Sequence, residues 1–195
     1  MKLHLGCGNL YLDDYINVDI YSEIADLKVD ITDLSVINNN KVSEIYMSHV
    51  LEHFKRSEVL NFLSECNRVL KIGGILRVSV PDFDQVVKVY NKNKNIAEVV
   101  GLLNGGQKND YDIHFLNYNF EILKETLEFI GFHEIQRYDS LEFLKEKDDY
   151  SKAFIPHMDF ENGELMSLNI ICKKNKKNEN NKTIPNNLKS FFKIK

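Results

Sequence analysis

Short apolar runs alternate with helical patterns along most of the chain. Strands are predicted where a run is rich in β-branched or aromatic residues and ends at Gly, Pro or an acid. Seven runs meet this description: KLHLG, YINVDI, ADLKVDI, VSEIYMS, GGILRVSVP, HEIQRY and LMSLNIICKK. Their spacing leaves room for helices between most of them, which is typical of layered α/β proteins.

Three segments carry a helical pattern. Residues 55–70 place apolar side chains at spacings near three and four, which predicts an amphipathic helix closed by Gly73 and Gly74. Further helices are predicted from Asp82 to about residue 92 and from Asn119 to Gly131. Residues 97–118 are less regular, and GLLNGGQKNDYD predicts a functional or mobile loop. The alternation predicts an α/β fold with a mostly parallel sheet of about seven strands and an antiparallel edge.

Composition narrows the class of protein. Hydrophobic residues make up 43 % and charged residues 28 % of the chain, as in globular domains. The chain has no run of 18 apolar residues, MKLHLGCGNL lacks the apolar stretch expected of a secretory signal, and the three cysteines are scattered. Few, unpaired cysteines favour a reducing compartment, so we expect a cytoplasmic protein.

Positive charge is concentrated at the C-terminal end of the chain, and the rest is acidic. Residues 173–195 carry eight Lys and one Glu, a net charge of +7, which leaves −11 for residues 1–172. An acidic body disfavours nucleic-acid binding, because phosphate contacts need clustered Lys and Arg. We predict a domain over residues 1–173 and a basic, disordered tail over 174–195. The apolar side chains of LKSFFKIK among lysines raise a further hypothesis, contact with the inner face of the membrane.

The first strand leads into LGCGN, a turn with Gly6 and Gly8. A strand followed by Gly-x-Gly lets the backbone approach a ligand without a Cβ in the way. Asp19 ends the second strand, where a carboxylate can accept both hydroxyls of a ribose. A dinucleotide site favours a third Gly, and this chain has Tyr11 there. The pattern therefore suits S-adenosylmethionine, which has a ribose and no pyrophosphate, better than NAD.

Three segments together resemble a known family. LHLGCGNLYLDDYINVDI, YMSHVLEHF and RVLKIGGILRVSVPD are similar to class I S-adenosylmethionine-dependent methyltransferases. More narrowly, residues 1–173 resemble small bacterial methyltransferases found with surface-polysaccharide genes, a likeness that extends to GGQKNDYDIHF and LMSLNIICKK. The resemblance implies a Rossmann-like three-layer sandwich and S-adenosylmethionine as cofactor. It also implies methylation of an oxygen or nitrogen on a surface-polysaccharide sugar, precursor or modification.

The resemblance assigns roles to individual residues. Gly6, Cys7 and Gly8 would form the loop beneath the methionine part, and Asp19 would hold the ribose. Asp30 and the backbone of Ile31 would contact the adenine. Ser48 and His49 would face the reactive methyl group, and His114 and Tyr111 would lie on the substrate side. His53 is a further substrate candidate, with a place in the first turn of the next helix as the alternative.

Two features depart from the family pattern. His4 stands where many members have an acid that organises the methionine amino group, so that contact is open. The first strand also begins almost at residue 1, without preceding helices to cover the cofactor, and we expect residues 100–118 to supply the lid.

HVLEH permits a rival interpretation. His49, Glu52 and His53 match H-x-x-E-H, a zinc hydrolase pattern that requires both histidines on one helical face. EIYMS before it predicts a strand, which puts His49 at a strand tip, so we predict no metal. Glu52 is then interpreted as a residue of the first turn of the next helix.

The remaining assignments concern catalysis. His49 and His114 are candidate general bases, since imidazole titrates near neutral pH. Asp82 either contacts substrate or caps the next helix, and Cys7 is interpreted as a packed residue rather than a nucleophile. Alternatives to a methyltransferase are a non-catalytic S-adenosylmethionine-binding module and, less favoured, an NAD-dependent oxidoreductase or a zinc hydrolase. The oligomeric state is open.

Overall fold

A mixed β-sheet organises the protein. The computed structural model describes residues 1–157, 159–176 and 183–194. Within these ranges the main sheet has six strands in the order β2-β1-β3-β4-β8-β5. Strands β1 to β4 are mutually parallel, and β8 runs antiparallel to both of its neighbours. The strands are β1 (Lys2–Leu5), β2 (Ile16–Val18), β3 (Val42–Ser48), β4 (Leu70–Pro81), β5 (Phe132–Arg137) and β8 (Ser167–Lys174), with a separate hairpin of β6 (Phe154–Ile155) and β7 (Glu164–Leu165).

Helices cover both faces of this sheet. The α-helices of the described ranges are α1 (Val59–Val69), α2 (Phe83–Asn93), α3 (Val100–Asn104), α4 (Phe120–Ile130), α5 (Ser140–Leu144) and α6 (Asn186–Phe192). Apolar side chains of α1, α4 and α6 share one core with the sheet. On the opposite face Leu144 of α5 packs with Tyr46 and Leu12. The predicted three-layer, mostly parallel α/β fold is thereby confirmed.

One of the seven predicted strands does not form. ADLKVDI contributes only an isolated bridge between Leu27 and Val18, and Leu27 is 42 % exposed. The polar side chains of this region explain the difference. The carboxylate of Asp26 accepts bonds from the backbone and side-chain nitrogens of Asn17, at 2.7 and 3.0 Å. These bonds hold the segment beside β2 without a ladder.

The boundaries around α1 also differ from the prediction. The helix begins at Val59 rather than 55, because Glu58 accepts a bond from Lys55 N at 2.8 Å and closes a separate turn. Gly73 and Gly74 do not end this helix. They lie inside β4, where Val42 pairs with Leu70 but Glu44 pairs with Ile75, so the extra residues form a bulge.

The basic end of the chain is ordered wherever the structure describes it. Strand β8 runs to Lys174, one residue past the predicted domain boundary, and residues 183–194 include helix α6. Leu188 and Phe192 enter the main core, and Phe191 and Ile194 pack against it. The prediction of a disordered tail is wrong for these residues, because their apolar side chains find a core. Residues 177–182 and Lys195 lie outside the described residues.

The same packing bears on the membrane hypothesis. The apolar side chains that a lipid contact would require are turned toward the protein itself. Among the described residues no helix is long and apolar enough to cross a bilayer.

Replacing Leu188 with Ala tests whether the C-terminal helix belongs to the fold. Leu188 is 0 % exposed, so we expect Leu188→Ala to lower the free energy of unfolding by about 2–5 kcal/mol, as for other buried leucines. Urea denaturation followed by circular dichroism measures this. Val36 is 79 % exposed, and Val36→Ala serves as a control that changes stability by less than about 0.5 kcal/mol. Equal unfolding midpoints for both variants would show that α6 does not stabilise the protein.

Candidate active site

A cleft of about 680 Å³ opens at the carboxyl ends of β1, β2 and β3. Ligands of open α/β sheets bind at this edge, because the loops that follow parallel strands meet there. Seven of the predicted site residues line the cleft: Gly6, Asp19, Asp30, Ile31, His49, His53 and Tyr111. The sheet thus brings together residues that lie more than one hundred positions apart in the chain.

The glycine turn forms the floor of the cleft. Gly6 has φ of +68°, and a Cβ on it would lie 2.5 Å from Val50 Cγ2. Its amide donates to Val18 O at 2.8 Å, and that of Cys7 donates to the same oxygen at 3.2 Å. Gly6 is therefore required both by its left-handed backbone and by the close approach of Val50.

Asp19 joins this turn to the end of β2. Its Oδ2 accepts from Gly8 N at 3.0 Å, and its Oδ1 accepts from Tyr21 N and Ser22 N at 2.8 and 3.0 Å. A carboxylate offers about four acceptor positions, so the three backbone bonds leave it able to accept from a ligand. The structure therefore shows Asp19 organising the turn, a function in addition to the predicted ribose contact.

Asp30 lies farther along the same wall. Its Oδ1 accepts from Thr32 N and Thr32 Oγ1, each at 2.8 Å, and its side chain is exposed to the cleft with Ile31 beside it. This arrangement orients the carboxylate toward solvent at the position where the resemblance puts the adenine.

Five predicted residues do not line the cleft: Cys7, Gly8, Ser48, Asp82 and His114. Cys7 is 3 % exposed, and burial raises the pKa of its thiol, as expected of a packed residue. Gly8 N donates to Asp19 Oδ2 at 3.0 Å, and Ser48 Oγ is buried without a hydrogen-bond partner among the described residues. Asp82 accepts from Asp84 N at 3.1 Å and pairs with Arg137 Nη1 at 3.0 Å, so it caps α2. The structure favours capping over substrate contact for Asp82.

His4 points away from the cleft. It is 1 % exposed, bonds to Asn17 Oδ1 at 3.0 Å and packs on the ring of Tyr46. Burial lowers the pKa of His4, so the ring is neutral near pH 7. The residue that departs from the family pattern belongs to the core beneath the sheet.

His49 borders the cleft but has both ring nitrogens engaged. It follows β3 with φ of +53°, its Nδ1 lies 3.2 Å from Glu52 Oε1, and its Nε2 lies 3.1 Å from Ser167 Oγ. Ser167 Oγ also lies 3.0 Å from Asn169 Oδ1, which can only accept. The single hydroxyl proton of Ser167 goes to Asn169, so His49 Nε2 must donate to Ser167. His49 therefore contacts Ser167 through Nε2 and Glu52 through Nδ1, so both ring nitrogens face protein groups, and the ring helps to orient Glu52.

Residues 49–53 do not form the helix that a zinc hydrolase motif requires. Leu51–His53 is a single 3₁₀ turn, separate from α1, so Glu52 is not in the first turn of that helix. Glu52 is instead 0 % exposed behind the cleft. Burial acts to raise the pKa of Glu52, but the neighbouring His49, His53 and His114 outweigh it and hold the pKa below its usual range.

His114 joins this group from a distant segment. Its Nε2 lies 4.0 Å from Glu52 Oε1, and its ring meets that of His53 edge-on at 4.7 Å. Burial lowers the pKa of His114, despite the opposing effect of Glu52, so the ring is neutral near pH 7. Sequence reasoning found His53 and His114 separately and missed Glu52 as a site residue. The signal that was present is the adjacency of Glu52 and His53 in HVLEH.

Asp110, Tyr111, Ile113 and Phe115 line one side of the cleft, and the expected role of residues 100–118 as a lid stays a prediction. Asp112 holds the loop, since its Oδ1 accepts from Gly106 N at 3.1 Å and its carbonyl accepts from Gln107 N at 2.8 Å. Tyr111 reaches across to Tyr21, with ring centroids 4.5 Å apart. Tyr111 therefore lies beside the Asp19 end of the cleft and not beside the histidines.

Comparison with known proteins identifies the fold. A model of the methyltransferase domain family matches residues 3–78, from β1 into β4. An S-adenosylmethionine-dependent methyltransferase from Archaeoglobus fulgidus aligns over 89 % of this chain and 85 % of its own, with 19 % identity and a TM-score of 0.56. One from Methanosarcina mazei aligns over 89 % and 92 %, with 14 % identity and a TM-score of 0.55. No curated protein matches the chain.

A further similar structure contains reaction ligands. It is the 1,6-didemethyltoxoflavin-N1-methyltransferase of Burkholderia thailandensis with bound 1,6-didemethyltoxoflavin and S-adenosylhomocysteine, and it aligns over 89 % of this chain and 70 % of its own. The identity is 13 % and the TM-score 0.55. The structural neighbours show a shared fold, and the family model matches the part of the chain that contains the glycine turn and the end of β3. The predictions of a methyltransferase and of S-adenosylmethionine as its cofactor are confirmed.

Substituting Gly6 tests the floor of the cleft. We expect Gly6→Ala to weaken S-adenosylhomocysteine binding by at least about 10-fold, because a Cβ there meets Val50 and the backbone has a positive φ. Isothermal titration calorimetry measures the affinity. Gly101→Ala is the matched control, since a Cβ at Gly101 contacts nothing within 4 Å. Unchanged affinity in Gly6→Ala would contradict the proposed close approach.

Removing the charge of Asp19 tests its contribution to cofactor binding. Asp19→Asn keeps the shape of the side chain but loses a charged acceptor toward the ligand and toward Gly8 N. We expect an affinity for S-adenosylhomocysteine lower by about 10–100-fold, as for the loss of one or two hydrogen bonds to a charged group. Asp14→Asn, on the surface away from the cleft, should bind as the wild type does. Equal binding by Asp19→Asn and wild type would remove Asp19 from the cofactor site.

Proposed function

We propose that this methyltransferase transfers the methyl group of S-adenosylmethionine to a hydroxyl group of a surface-polysaccharide sugar or its precursor. The observation that carries the proposal is the division of the cleft into two chemically different ends. One end presents Asp19 and Asp30 beside the glycine turn, and the other presents His53 in front of Glu52 and His114. The first suits a nucleoside, and the second suits an acceptor that must lose a proton.

The cofactor is proposed to lie along the strand ends. Its adenine would rest by Asp30 and Ile31, its ribose hydroxyls would donate to Asp19, and its methionine part would pass over Gly6. Tyr111 and Tyr21 would cover the nucleoside from the solvent side, because their rings already meet over this end. This course directs the sulfonium toward the end of β3, where His49 and His53 border the cleft.

The reaction itself asks little of the protein beyond positioning and proton removal. An oxygen lone pair of the acceptor attacks the methyl carbon in line, and the carbon–sulfur bond breaks with its electron pair passing to sulfur. The products are a methyl ether and S-adenosylhomocysteine. The hydroxyl proton passes first to the group formed by Glu52, His53 and His114 and then to solvent. Positioning accounts for most of the rate, and assistance to proton removal adds about 10²–10⁴-fold.

A glycan acceptor is supported by the sequence resemblance and by the shape of the site. The cleft is open at the lid side and bordered by exposed polar residues such as Lys55, Glu58 and Asp110, which can receive an extended polar molecule. A nucleic-acid acceptor is disfavoured by the charge of −11 on residues 1–172. A non-catalytic binding module would have no need of the Glu52, His53 and His114 group at the acceptor end.

Methyl transfer to candidate glycans tests the proposal. Full-length protein is incubated with isotopically labelled S-adenosylmethionine and a panel of nucleotide sugars, lipid-linked saccharides and capsule oligosaccharides. We expect labelled O-methyl ether on one class. His53→Ala should lower kcat by about 100-fold or more while S-adenosylhomocysteine affinity changes less than about 3-fold, because His53 lies at the acceptor end. His133, half-exposed in β5, provides the control variant His133→Ala.

Three results would contradict this proposal. Transfer of the labelled methyl group to a nitrogen or to a nucleic acid would show that the acceptor is not a glycan hydroxyl. Full turnover by His53→Ala would remove the acceptor end from the reaction. Cofactor binding without transfer to any glycan in the panel would favour the binding module.

A further inference from the structure

Three side chains with metal-binding atoms converge behind the acceptor end of the cleft. Glu52, His53 and His114 each offer one ligand atom, and these atoms lie within 4.8 Å of one another. Ligands that each lie about 2.1 Å from a shared ion are about 3–4 Å apart. Shifts of less than about one ångström in three side chains would therefore bring the group to coordination distance.

The two imidazoles are held in the form that binds metals. His53 Nδ1 lies 3.1 Å from Ile113 O, and His114 Nδ1 lies 2.9 Å from Leu102 O. A carbonyl oxygen only accepts, so both Nδ1 atoms carry the proton and both Nε2 atoms keep their lone pairs. Metal-ligating histidines use this arrangement, in which the other ring N–H donates to a backbone carbonyl.

The carboxylate of Glu52 lacks the partners that its burial demands. It is 0 % exposed, and among the described residues neither oxygen accepts a hydrogen bond of normal geometry. Its contact with His49 Nδ1, at 3.2 Å, holds the carboxylate from one side. Buried charges are normally paired with cations or bind metals, so the free side of Glu52 is an open position for a cation.

The backbone holds the two segments together. Glu52 O accepts from Phe115 N at 2.8 Å and from Leu116 N at 3.3 Å, so the turn with Glu52 and His53 is bonded directly to the segment with His114. Main-chain hydrogen bonds therefore fix the positions of the two segments that carry the three side chains.

We propose that Glu52, His53 and His114 form a binding site for one divalent transition-metal ion at the acceptor end of the cleft. Two imidazoles and one carboxylate suit Zn²⁺, Co²⁺, Mn²⁺ or Fe²⁺, whereas Mg²⁺ prefers an all-oxygen shell. Three protein ligands leave coordination positions open, as in catalytic rather than structural sites. His49, held by Ser167, is the positioning residue that orients Glu52. This assignment differs from the sequence-based expectation of no metal.

The role of the ion rests on the proposed function. An acceptor hydroxyl that binds the open position becomes more acidic, because the ion stabilises the alkoxide. The hydroxyl proton then passes to solvent, the oxygen attacks the methyl carbon, and the carbon–sulfur electron pair passes to sulfur. With the Nε2 lone pairs bound to the ion, neither His53 nor His114 needs to act as the base.

Metal titration of the full chain tests the site separately from the reaction. Protein stripped with EDTA is titrated by calorimetry with Zn²⁺, Co²⁺, Mn²⁺ and Mg²⁺, and Co²⁺ binding is also followed by its visible absorption. We expect one equivalent of Zn²⁺ or Co²⁺ to bind, with Mg²⁺ much weaker. His53→Ala, His114→Ala and Glu52→Gln should each weaken binding by about 100-fold or more, while His133→Ala binds as the wild type does.

Stability measurements show whether a variant has merely unfolded. Saturating Zn²⁺ should raise the melting temperature of the wild type and of His133→Ala, and should leave Glu52→Gln unchanged. Glu52→Gln should remain folded without metal, because it removes a buried charge and keeps the shape. Absence of stoichiometric binding, or binding that survives all three substitutions, would overturn the site.

Two further results separate the site from the proposed function. Stoichiometric metal binding without methyl transfer would support the site and count against the glycan acceptor. Full transfer activity in EDTA by protein shown to be metal-free would overturn the role of the ion in the reaction.

Discussion

The shape of the acceptor end depends on one shared carbonyl. Glu52 O, in the turn after β3, accepts from Phe115 N and Leu116 N and so bonds the strand edge to the segment that precedes α4. Without these bonds, the turn with Glu52 would be linked to the segment with Phe115 through side-chain contacts such as that of His53 with Ile113 O. With them, His114 reaches a carboxylate sixty-two positions earlier in the chain. The cleft lies at the edge of the parallel sheet. These two main-chain bonds hold the segment with Phe115 and Leu116 against that edge, where it forms one wall of the cleft.

The cofactor end rests on a different principle, the sharing of one carboxylate by several backbone amides. Asp19 accepts from Gly8, Tyr21 and Ser22, so the turns that follow β1 and β2 have a common centre. A carboxylate already held by three donors loses little conformational freedom when a ligand binds, which favours affinity. The two ends are thus organised independently, one by a side chain and the other by a carbonyl.

The sequence predicted most of this architecture, because strand and helix periods are local properties. The Gly6 turn, Asp19, the Asp82 and Asn119 caps and the order of elements follow from short stretches of sequence. The failures have non-local causes. ADLKVDI lost its strand to polar bonds between Asp26 and Asn17, and the basic terminus became ordered because Leu188 reaches a core that lies far from it in sequence. Glu52 was misassigned because its partner His114 is visible only in three dimensions.

The docking of α6 has a practical consequence for anyone shortening this protein. The lysine-rich composition after residue 174 invites removal of the segment, yet Phe191 packs on the ring of Tyr118 at 5.6 Å. Tyr118 is fully buried and follows directly on the wall of the cleft. Removal of α6 would expose this aromatic surface to water. A truncation at the C-terminus would then be observed as altered binding or activity in the cleft.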